Sequence, residues 1–289
     1  MGDVSISSSG RLKRRKRRSG GTGIYYVVLC LLAFISLAPL VVLGFNSLKT
    51  KAELGRNPLG IPLSPQFHNF REAWTRGDYA TSIKNSTVIS LSTAIGVCII
   101  AGLAAYALSR LDVPGSSLFT GYLFVGITIP AQLYIIPLFA LWVKLDLIDS
   151  RIGLIIIYWA IFSPFSTLLL RSFLLSLPRE IEDASRVDGA NEWQTLSRIV
   201  LPLALPGVLV VGLVAALMSW NEFFFAITFI QSEELKPVTI SFLAFQGRYG
   251  RDWGLTSAAG IIVILPMLAL FLSLQRRFIA GLTAGALKG

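Results

Sequence analysis

Polar side chains occur inside two otherwise apolar stretches of the sequence. Gln132 lies in one stretch, and Asn221 and Glu222 lie side by side in another. A carboxylate at membrane depth costs on the order of 2.5–3.5 kcal/mol on insertion scales, so Glu222 is expected to face the protein interior or a wet cavity. Two interpretations stay open: these groups line a translocation path as a gate or substrate contact, or Glu222 makes a hydrogen bond between helices.

A second group of candidates lies in the polar segment 177–202, which reads LPREIEDASRVDGANEWQTLSRIVLP. Pro178 suits the first position of a helix, and this helix is predicted to continue to Val187. Asp188 followed by Gly189 is a turn signal. The first half of the segment therefore predicts a short helix that ends in a tight turn.

The second half of this segment predicts another helix. Asn191 can cap that helix, and Gln194 stands three residues later, as in a capping box. Its apolar side is formed by Trp193, Leu196, Ile199 and Val200. The result is an amphipathic helix–turn–helix hairpin that does not span lipid and is suited to docking into a groove of another protein.

Motifs for catalysis are missing from the sequence. There is no G-x-x-x-x-G-K-[ST] phosphate-binding loop and no Gly-Lys pair, so the chain is not expected to hydrolyse ATP. The single histidine, His68, and the two cysteines, Cys30 and Cys98, have no metal-ligand spacing. We therefore expect neither an enzyme nor a cofactor in this chain.

The elements that position these residues are long apolar blocks. Of the 289 residues, 54% are hydrophobic and 15% are charged, against about 25% charged in ordinary soluble domains. A helix needs about 20 apolar residues to cross the hydrocarbon core. Six blocks reach that length, at 24–46, 86–108, 118–142, 152–172, 207–230 and 256–275. The sequence predicts an all-α, multi-pass membrane protein with about six transmembrane helices.

Charge predicts the orientation of these spans. Seven of the 26 Lys and Arg residues lie between Arg11 and Arg18, and the positive-inside rule places such a run in the cytoplasm. We interpret 1–23 as a basic cytoplasmic tail that contacts anionic lipid rather than nucleic acid. Both termini are then cytoplasmic, and the loops 48–84 and 231–255 lie outside. The membrane domain is assigned to 24–280 and a C-terminal tail to 281–289.

Several predicted spans contain helix-disturbing or small residues. Pro130, Pro137, Pro164 and Pro266 bend helices and free carbonyl groups that lipid cannot solvate. Block 86–108 has a face of glycine and alanine, which allows close helix packing. Together these features favour a shaped internal passage.

The segment 177–202 resembles the EAA loop of binding-protein-dependent importers of the ATP-binding-cassette class. That pattern is E-A-A, three residues, Gly, nine residues and I-x-L-P. Asp183, Ala184 and Ser185 occupy the E-A-A positions. Gly189 is followed after nine residues by Ile199, Leu201 and Pro202. The resemblance implies that the loop 173–206 docks onto a separate ATPase, with contacts from Asp183, Ala184, Ser185, Asp188, Gly189, Trp193, Leu196, Ile199, Leu201 and Pro202.

The resemblance extends over most of the chain. SWNEF in the fifth block and RRFIAGLTAGALKG at the C-terminus are similar to the maltose-type branch, which imports sugars. It implies a permease subunit that pairs with a second, homologous permease chain, two ATPase subunits carrying ATP and magnesium, and an extracytoplasmic sugar-binding protein. Residues of the last outer loop that suit contact with the binding protein are Gln246, Arg248, Tyr249 and Trp253.

Two other classes of protein fit the sequence less well. A secondary transporter driven by ions would carry ionisable residues at the membrane midplane and internal repeats, for which Glu222 alone is thin support. A membrane enzyme or receptor would need paired polar groups near an interface, and the sequence offers none.

Overall fold

The computed structural model describes residues 20–286, and all regular structure in this range is helical. The α-helices are α1 (Gly20–Ser47), α2 (Lys51–Arg56), α3 (His68–Arg76), α4 (Tyr79–Arg110), α5 (Ser116–Thr128), α6 (Ile135–Lys144), α7 (Arg151–Leu175), α8 (Glu180–Val187), α9 (Glu192–Thr195), α10 (Leu201–Asn221), α11 (Phe224–Phe229), α12 (Val238–Tyr249) and α13 (Trp253–Ala286). Short 3₁₀ turns occupy Ala131–Tyr134 and Glu233–Leu235, and a π-turn occupies Leu196–Val200.

Five helices in the described range are long and apolar enough to cross a membrane. They are α1, α4, α7, α13 and the continuous helix formed by α9, the π-turn and α10. Helices α5 and α6 supply a sixth crossing when the bent pair is counted as one span. The all-α fold with about six spans is therefore confirmed. Most of the predicted tail 1–23 lies outside the described residues, and α13 runs past the predicted domain end at 280 to Ala286.

Helix α4 is the centre of the bundle and packs against both α7 and α10. Small side chains permit this close approach, as the sequence predicted. A Cβ atom placed on Gly96 would lie 2.1 Å from the indole ring of Trp159 on α7. The Trp159 ring is held in place because its Nε1–H donates to the carbonyl of Ser92, at 3.0 Å. Helix α1 packs along α13 at the edge of the bundle, with most of its side chains exposed.

The third span, predicted over 118–142 with proline bends, is broken into two helices. Helices α5 and α6 meet at an angle of 90°. The break falls at Ile129, which has extended backbone angles, and at Pro130. A proline disfavours the helical conformation in the residue before it and has no N–H for the helix ladder. We call this bent pair the elbow.

The predicted bounds of the fifth span, 207–230, are also wrong at both ends. An unbroken helix runs from Glu192 through α10 to Asn221. The π-turn lies directly before Pro202, with the N–H of Leu201 donating to the carbonyl of Leu196. In a regular helix the ring of Pro202 would clash with the carbonyl four residues earlier, and a wider turn relieves that clash. The helix ends at Asn221, and the short helix α11 follows a break.

The connectors on one side of the bundle are bound to one another. The carboxylate of Asp149, between α6 and α7, accepts hydrogen bonds from the N–H groups of Gln231 and Ser232, each at 2.9 Å. It also accepts one from the hydroxyl of Ser232, which holds the pKa of the Asp149 carboxyl below its ordinary value. Lys51 forms an ion pair with Asp252 at 3.1 Å. The segments 48–84, 145–150 and 231–252 therefore share one face of the bundle.

The segments 48–84 and 231–255 are not the plain loops that the sequence predicted. They contain α2, α3 and α12. Lys49 is almost fully buried among them, and its ammonium group donates to the side chain of Asn46 and to the carbonyls of Asn57 and Pro58, at 3.0–3.1 Å. Three acceptors satisfy the three donors of the ammonium group.

The contact between Gly96 and Trp159 generates a test of the packing. Gly96→Ala should lower the free energy of unfolding by about 1–3 kcal/mol, because the new methyl group must displace a hydrogen-bonded ring. Gly102→Ala on the same helix is the matched control, since no atom lies within 4 Å of a Cβ atom there. Thermal unfolding in detergent should separate the two variants. Equal unfolding temperatures would contradict the packing described here.

Candidate functional site

The segment after α7 folds as a hairpin on the opposite face from Asp149. Helix α8 ends at a turn in which Gly189 has φ +82°, and the N–H of Ala190 donates to the carbonyl of Ser185. Positive φ is readily available to glycine and strained for most other residues. The predicted turn at Asp188 and Gly189 is confirmed. We call residues 179–200 the hairpin.

The second arm begins with the predicted capping box, which is confirmed. The side chain of Asn191 accepts from the N–H of Gln194, and the side chain of Gln194 accepts from the N–H of Asn191, both at 2.9 Å. The arm then continues without interruption into the fifth span. The predicted separate second helix is thus the first part of a transmembrane helix.

The two arms are tied by buried hydroxyl groups. Ser185 shares a hydrogen bond with Thr195 across the hairpin at 3.0 Å, and its Oγ also contacts the carbonyl of Glu182 at 2.7 Å. Alanine, which the E-A-A pattern has at position 185, could not make this hydrogen bond. The serine therefore adds a contact between the two arms that the E-A-A pattern would lack.

An ionic chain runs along the exposed side of the hairpin. Asp183 pairs with Arg186 at 3.0 Å, and the same guanidinium group pairs with Glu192 at 3.0 Å. The other carboxylate oxygen of Glu192 accepts a hydrogen bond from the hydroxyl of Tyr106 on α4, at 2.8 Å. Asp183 thus fixes the shape of the hairpin through Arg186, and Glu192 connects the hairpin to the bundle.

Glu182 is a functional candidate that the sequence prediction missed. It is 3% exposed, and its carboxylate forms an ion pair with Arg110, 2.8 Å from the guanidinium Nε. Burial raises the pKa of the Glu182 carboxyl, and the positive charge of Arg110 opposes that shift. The signal in the sequence was the three-residue spacing of Glu182 and Ser185, which places both on one face of α8.

The apolar surface of the hairpin differs from the prediction. Val200 is buried in the bundle core and Leu196 packs against that core, because the second arm continues into the fifth span and turns this face inward. Two of the most exposed apolar side chains are instead Val187, 88% exposed, and Trp193, 67% exposed. Ile181 on α8 is also exposed. The predicted residues Ala184, Asp188, Leu201 and Pro202 are exposed as well, and Ile199 is half-buried.

Glu222 lies at the break between α10 and α11. One carboxylate oxygen accepts from the N–H of Phe225 at 3.0 Å, and the other accepts from the N–H of Ala226 at 3.0 Å and from the hydroxyl of Tyr158 at 2.7 Å. Its carbonyl accepts from the hydroxyl of Thr239. The side chain therefore caps α11 and binds it to α7, which is the hydrogen-bonding interpretation of this residue.

The other two predicted path residues are exposed. Asn221 donates its side-chain amide to the carbonyl of Leu217, one turn back along α10. Gln132 lies in the 3₁₀ turn of the elbow. Neither residue shares the hydrogen bonds that hold Glu222.

The predicted binding-protein contacts lie on and beside α12. Gln246, Arg248 and Trp253 are exposed, whereas Tyr249 is half-buried and packs on Phe245 with ring centroids 4.7 Å apart. A cavity of about 410 Å³ between α3, α4 and α12 is lined in part by Arg248 and Tyr249. The polar loop predicted here is thus a helix with an anchored aromatic side chain.

A bundle of long apolar helices, a broken third span and a braced hairpin on one face define a multi-pass membrane transport subunit. Residues 94–283 match the family described as "Binding-protein-dependent transport system inner membrane component", and the chain belongs to that family. The resemblance drawn from the EAA-like loop is thereby confirmed.

Relatives match the chain over almost its whole length. It is 33% identical to the sulfoquinovosyl glycerol transport system permease protein SmoH of Agrobacterium fabrum, over 93% of this chain and 95% of that one. It is 31% identical to the melibiose/raffinose/stachyose import permease protein MelC of Bacillus subtilis, over 95% and 100% of the two chains. A crystal structure of a bacterial transporter involved in alginate import has the same fold, with TM-score 0.77 at 24% identity over 91% and 98% of the chains.

The turn at Gly189 generates a second prediction. Gly189→Val should destabilise the hairpin by about 1–3 kcal/mol, because a β-branched residue is strained at positive φ. Gly189→Asn should cost much less, since asparagine tolerates this conformation. No atom lies within 4 Å of a Cβ atom at this position, so the comparison isolates the backbone. Trypsin cleavage after Arg186 in detergent should be faster in Gly189→Val than in Gly189→Asn, and equal rates would contradict the prediction.

Proposed function

We propose that the chain is the permease subunit of an ATP-driven importer of saccharides and that its hairpin receives the ATPase subunit. The observation that carries this proposal is the hairpin itself. Val187 and Trp193 are exposed on it. Glu182 fixes its inner side to Arg110 of the bundle, and Ser185 and Thr195 hold its two arms together. A rigid surface with exposed aromatic and aliphatic side chains suits a protein partner.

The saccharide cargo is proposed from the relatives. Their printed names include permeases for sulfoquinovosyl glycerol, for melibiose, raffinose and stachyose, and for arabinooligosaccharides. These cargoes differ in size and charge but share a sugar ring. We therefore propose that this chain transports a sugar or a glycoside, without naming a single compound.

The partners follow from the proposed mechanism. A subunit without a phosphate-binding loop needs an ATPase, and we propose two ATP-binding-cassette subunits that bind ATP and magnesium. A second, homologous permease chain would complete the passage. An extracytoplasmic sugar-binding protein would dock on the face that carries Arg248 and Trp253, both exposed.

The ion-driven alternative has little support in the described residues. It requires an ionisable group free to bind and release an ion. The carboxylate of Glu222 instead accepts three hydrogen bonds from Tyr158, Phe225 and Ala226. Its oxygens are therefore occupied in holding α11 in place and are not free to bind an ion.

The experiment that tests this function is uptake by the importer reconstituted in proteoliposomes with its ATPase, second permease and binding protein. Saccharide uptake should depend on ATP, whereas uptake of an amino acid should not occur. Val187→Ser combined with Trp193→Ala should weaken ATPase association by roughly 2 kcal/mol or more, because exposed aromatic anchors dominate such interfaces. Uptake should fall with it.

The matched control for that variant is Leu63→Ser, which changes an apolar side chain 91% exposed on the opposite face of the bundle. It should leave ATPase association intact. Normal ATPase association and uptake in the Val187–Trp193 double variant would refute the docking role. Uptake of amino acids in place of sugars would refute the cargo.

The proposed orientation places the hairpin in the cytoplasm. Ser64 and Asp112 are exposed on opposite faces of the bundle. In a chain with Cys30 and Cys98 replaced by serine, Ser64→Cys should react with a membrane-impermeant maleimide in intact cells. Asp112→Cys should react only after permeabilisation. The reverse pattern would overturn the orientation.

A further inference from the structure

The cytoplasmic ends of α4 and α7 under the proposed orientation are held by reciprocal arginine contacts. Arg110 is the last residue of α4, and its side chain is 2% exposed. Its Nη2 group donates to the carbonyls of Leu174 and Leu177, at 2.7 and 3.0 Å, where α7 ends. The last carbonyls of a helix lack partners within the helix and carry partial negative charge, so a cation there is favourable.

Arginines from the other segment likewise donate to the carbonyls at the end of α4. Arg171 of α7 donates from Nε to the carbonyl of Leu108, at 3.2 Å. Arg179, just before α8, donates from Nη2 to the carbonyl of Ser109, at 3.0 Å. Each helix end is therefore capped by an arginine from the other segment. Separating the two ends would break all of these arginine contacts, although the carbonyl of Leu174 would keep the N–H of Leu177 as a partner.

Helix α4 also holds both arms of the hairpin. Arg110 pairs with Glu182 on the first arm at 2.8 Å, and Tyr106 donates to Glu192 at the start of the second arm, at 2.8 Å. Positions 106 and 110 are four residues apart and lie on one face of a helix. Two consecutive turns of α4 thus each bind one carboxylate of the hairpin.

We propose that Arg110, assisted by Tyr106, is the positioning residue through which movement of the hairpin is passed to α4. This inference rests on the proposed function, in which the ATPase moves the hairpin. Helix α4 packs against both α7 and α10, so a displacement of its end reaches the centre of the bundle. Arg110 connects four groups at once: α4 itself, the Glu182 carboxylate, and the carbonyls of Leu174 and Leu177.

A purely stabilising role would not require a charge here. Replacing a buried ion pair by well-packed apolar residues is often neutral or stabilising, whereas removing one partner is strongly destabilising. The guanidinium group differs from an apolar side chain because Nη2 donates to the carbonyls of Leu174 and Leu177, while Nε, which makes no hydrogen bond, lies 2.8 Å from the Glu182 carboxylate. One side chain thereby holds the end of α7 and the first arm of the hairpin at the same time.

The test uses the complete importer in lipid nanodiscs, with Arg110→Lys and Tyr106→Phe. Lysine keeps the charge, but its single nitrogen cannot occupy the positions of both Nε, beside Glu182, and Nη2, which donates to the two carbonyls. ATPase co-purification should stay at the level of the unmodified importer. ATP hydrolysis stimulated by the cargo-loaded binding protein, and uptake, should fall about tenfold in Arg110→Lys and less in Tyr106→Phe. Arg56→Lys, an exposed arginine on the opposite face, is the matched control.

A distance measurement separates transmission from stability. Spin labels at Glu180 and Asp112, both exposed, report the position of α8 relative to the end of α4. In the unmodified importer the distance distribution should stay narrow and unchanged between the nucleotide-free and ATP–vanadate states. In Arg110→Lys it should broaden or shift when ATP binds, because the hairpin then moves without α4.

Several results would overturn the proposal. One is normal uptake together with an unchanged distance in Arg110→Lys. Another is loss of ATPase binding by Arg110→Lys at normal thermal stability, because that result would make Arg110 a docking residue. If Arg110→Lys does not accumulate, Arg110→Leu with Glu182→Leu replaces it, and normal uptake by that variant would also overturn the proposal. ATPase binding that persists in the Val187–Trp193 variant would instead refute the proposed function, so the two failures are distinguishable.

Discussion

Hydrocarbon cannot hydrogen-bond a peptide group, so every interruption of a helix in this protein must be satisfied by the protein itself. The break after Asn221 is satisfied by the carboxylate of Glu222, which accepts from two N–H groups of α11. The adjoining ends of α4 and α7 are satisfied by Arg110 and Arg179. Glu222, Arg110 and Arg179 therefore complete helix ends, and they lie where the chain changes direction.

The same constraint explains why the two faces of the bundle differ. On the face that bears the hairpin, helix ends are joined by arginines, by the buried carboxylate of Glu182 and by the exposed carboxylate of Glu192. On the opposite face, connectors are tied by Asp149 to residues 231 and 232 and by Lys49 to the carbonyls of Asn57 and Pro58. The exposed aromatic and basic residues Arg248 and Trp253 lie on that second face. In the proposed function, each face would present a surface to a different kind of partner.

The hairpin has an unusual distribution of polarity. Glu182 and Ser185 are buried, whereas Ile181 and Val187 of the same short helix are exposed. A helix on the surface of an isolated protein would bury its apolar side. This reversal fits the docking role proposed above, in which another protein covers the exposed apolar side chains. The buried polar side chains Glu182 and Ser185 have the partners Arg110 and Thr195, which offset the cost of their burial.

The sequence by itself determined the membrane class, the approximate number of spans, the turn at Gly189 and the capping box at Asn191, because length, hydropathy and local backbone preferences act over few residues. It indicated a bend at Pro130 but could not determine that the third span breaks there into two helices at 90°, that the second hairpin arm continues into the fifth span, or that Val200 faces the core. Those outcomes depend on which neighbours each helix meets. Glu182 shows the limit most clearly: its partner Arg110 lies 72 positions earlier in the chain, and only the packing of α4 against α7 brings the two charges to 2.8 Å. Tertiary structure decided that pair because a buried charge is stable only where a distant segment delivers its counter-charge.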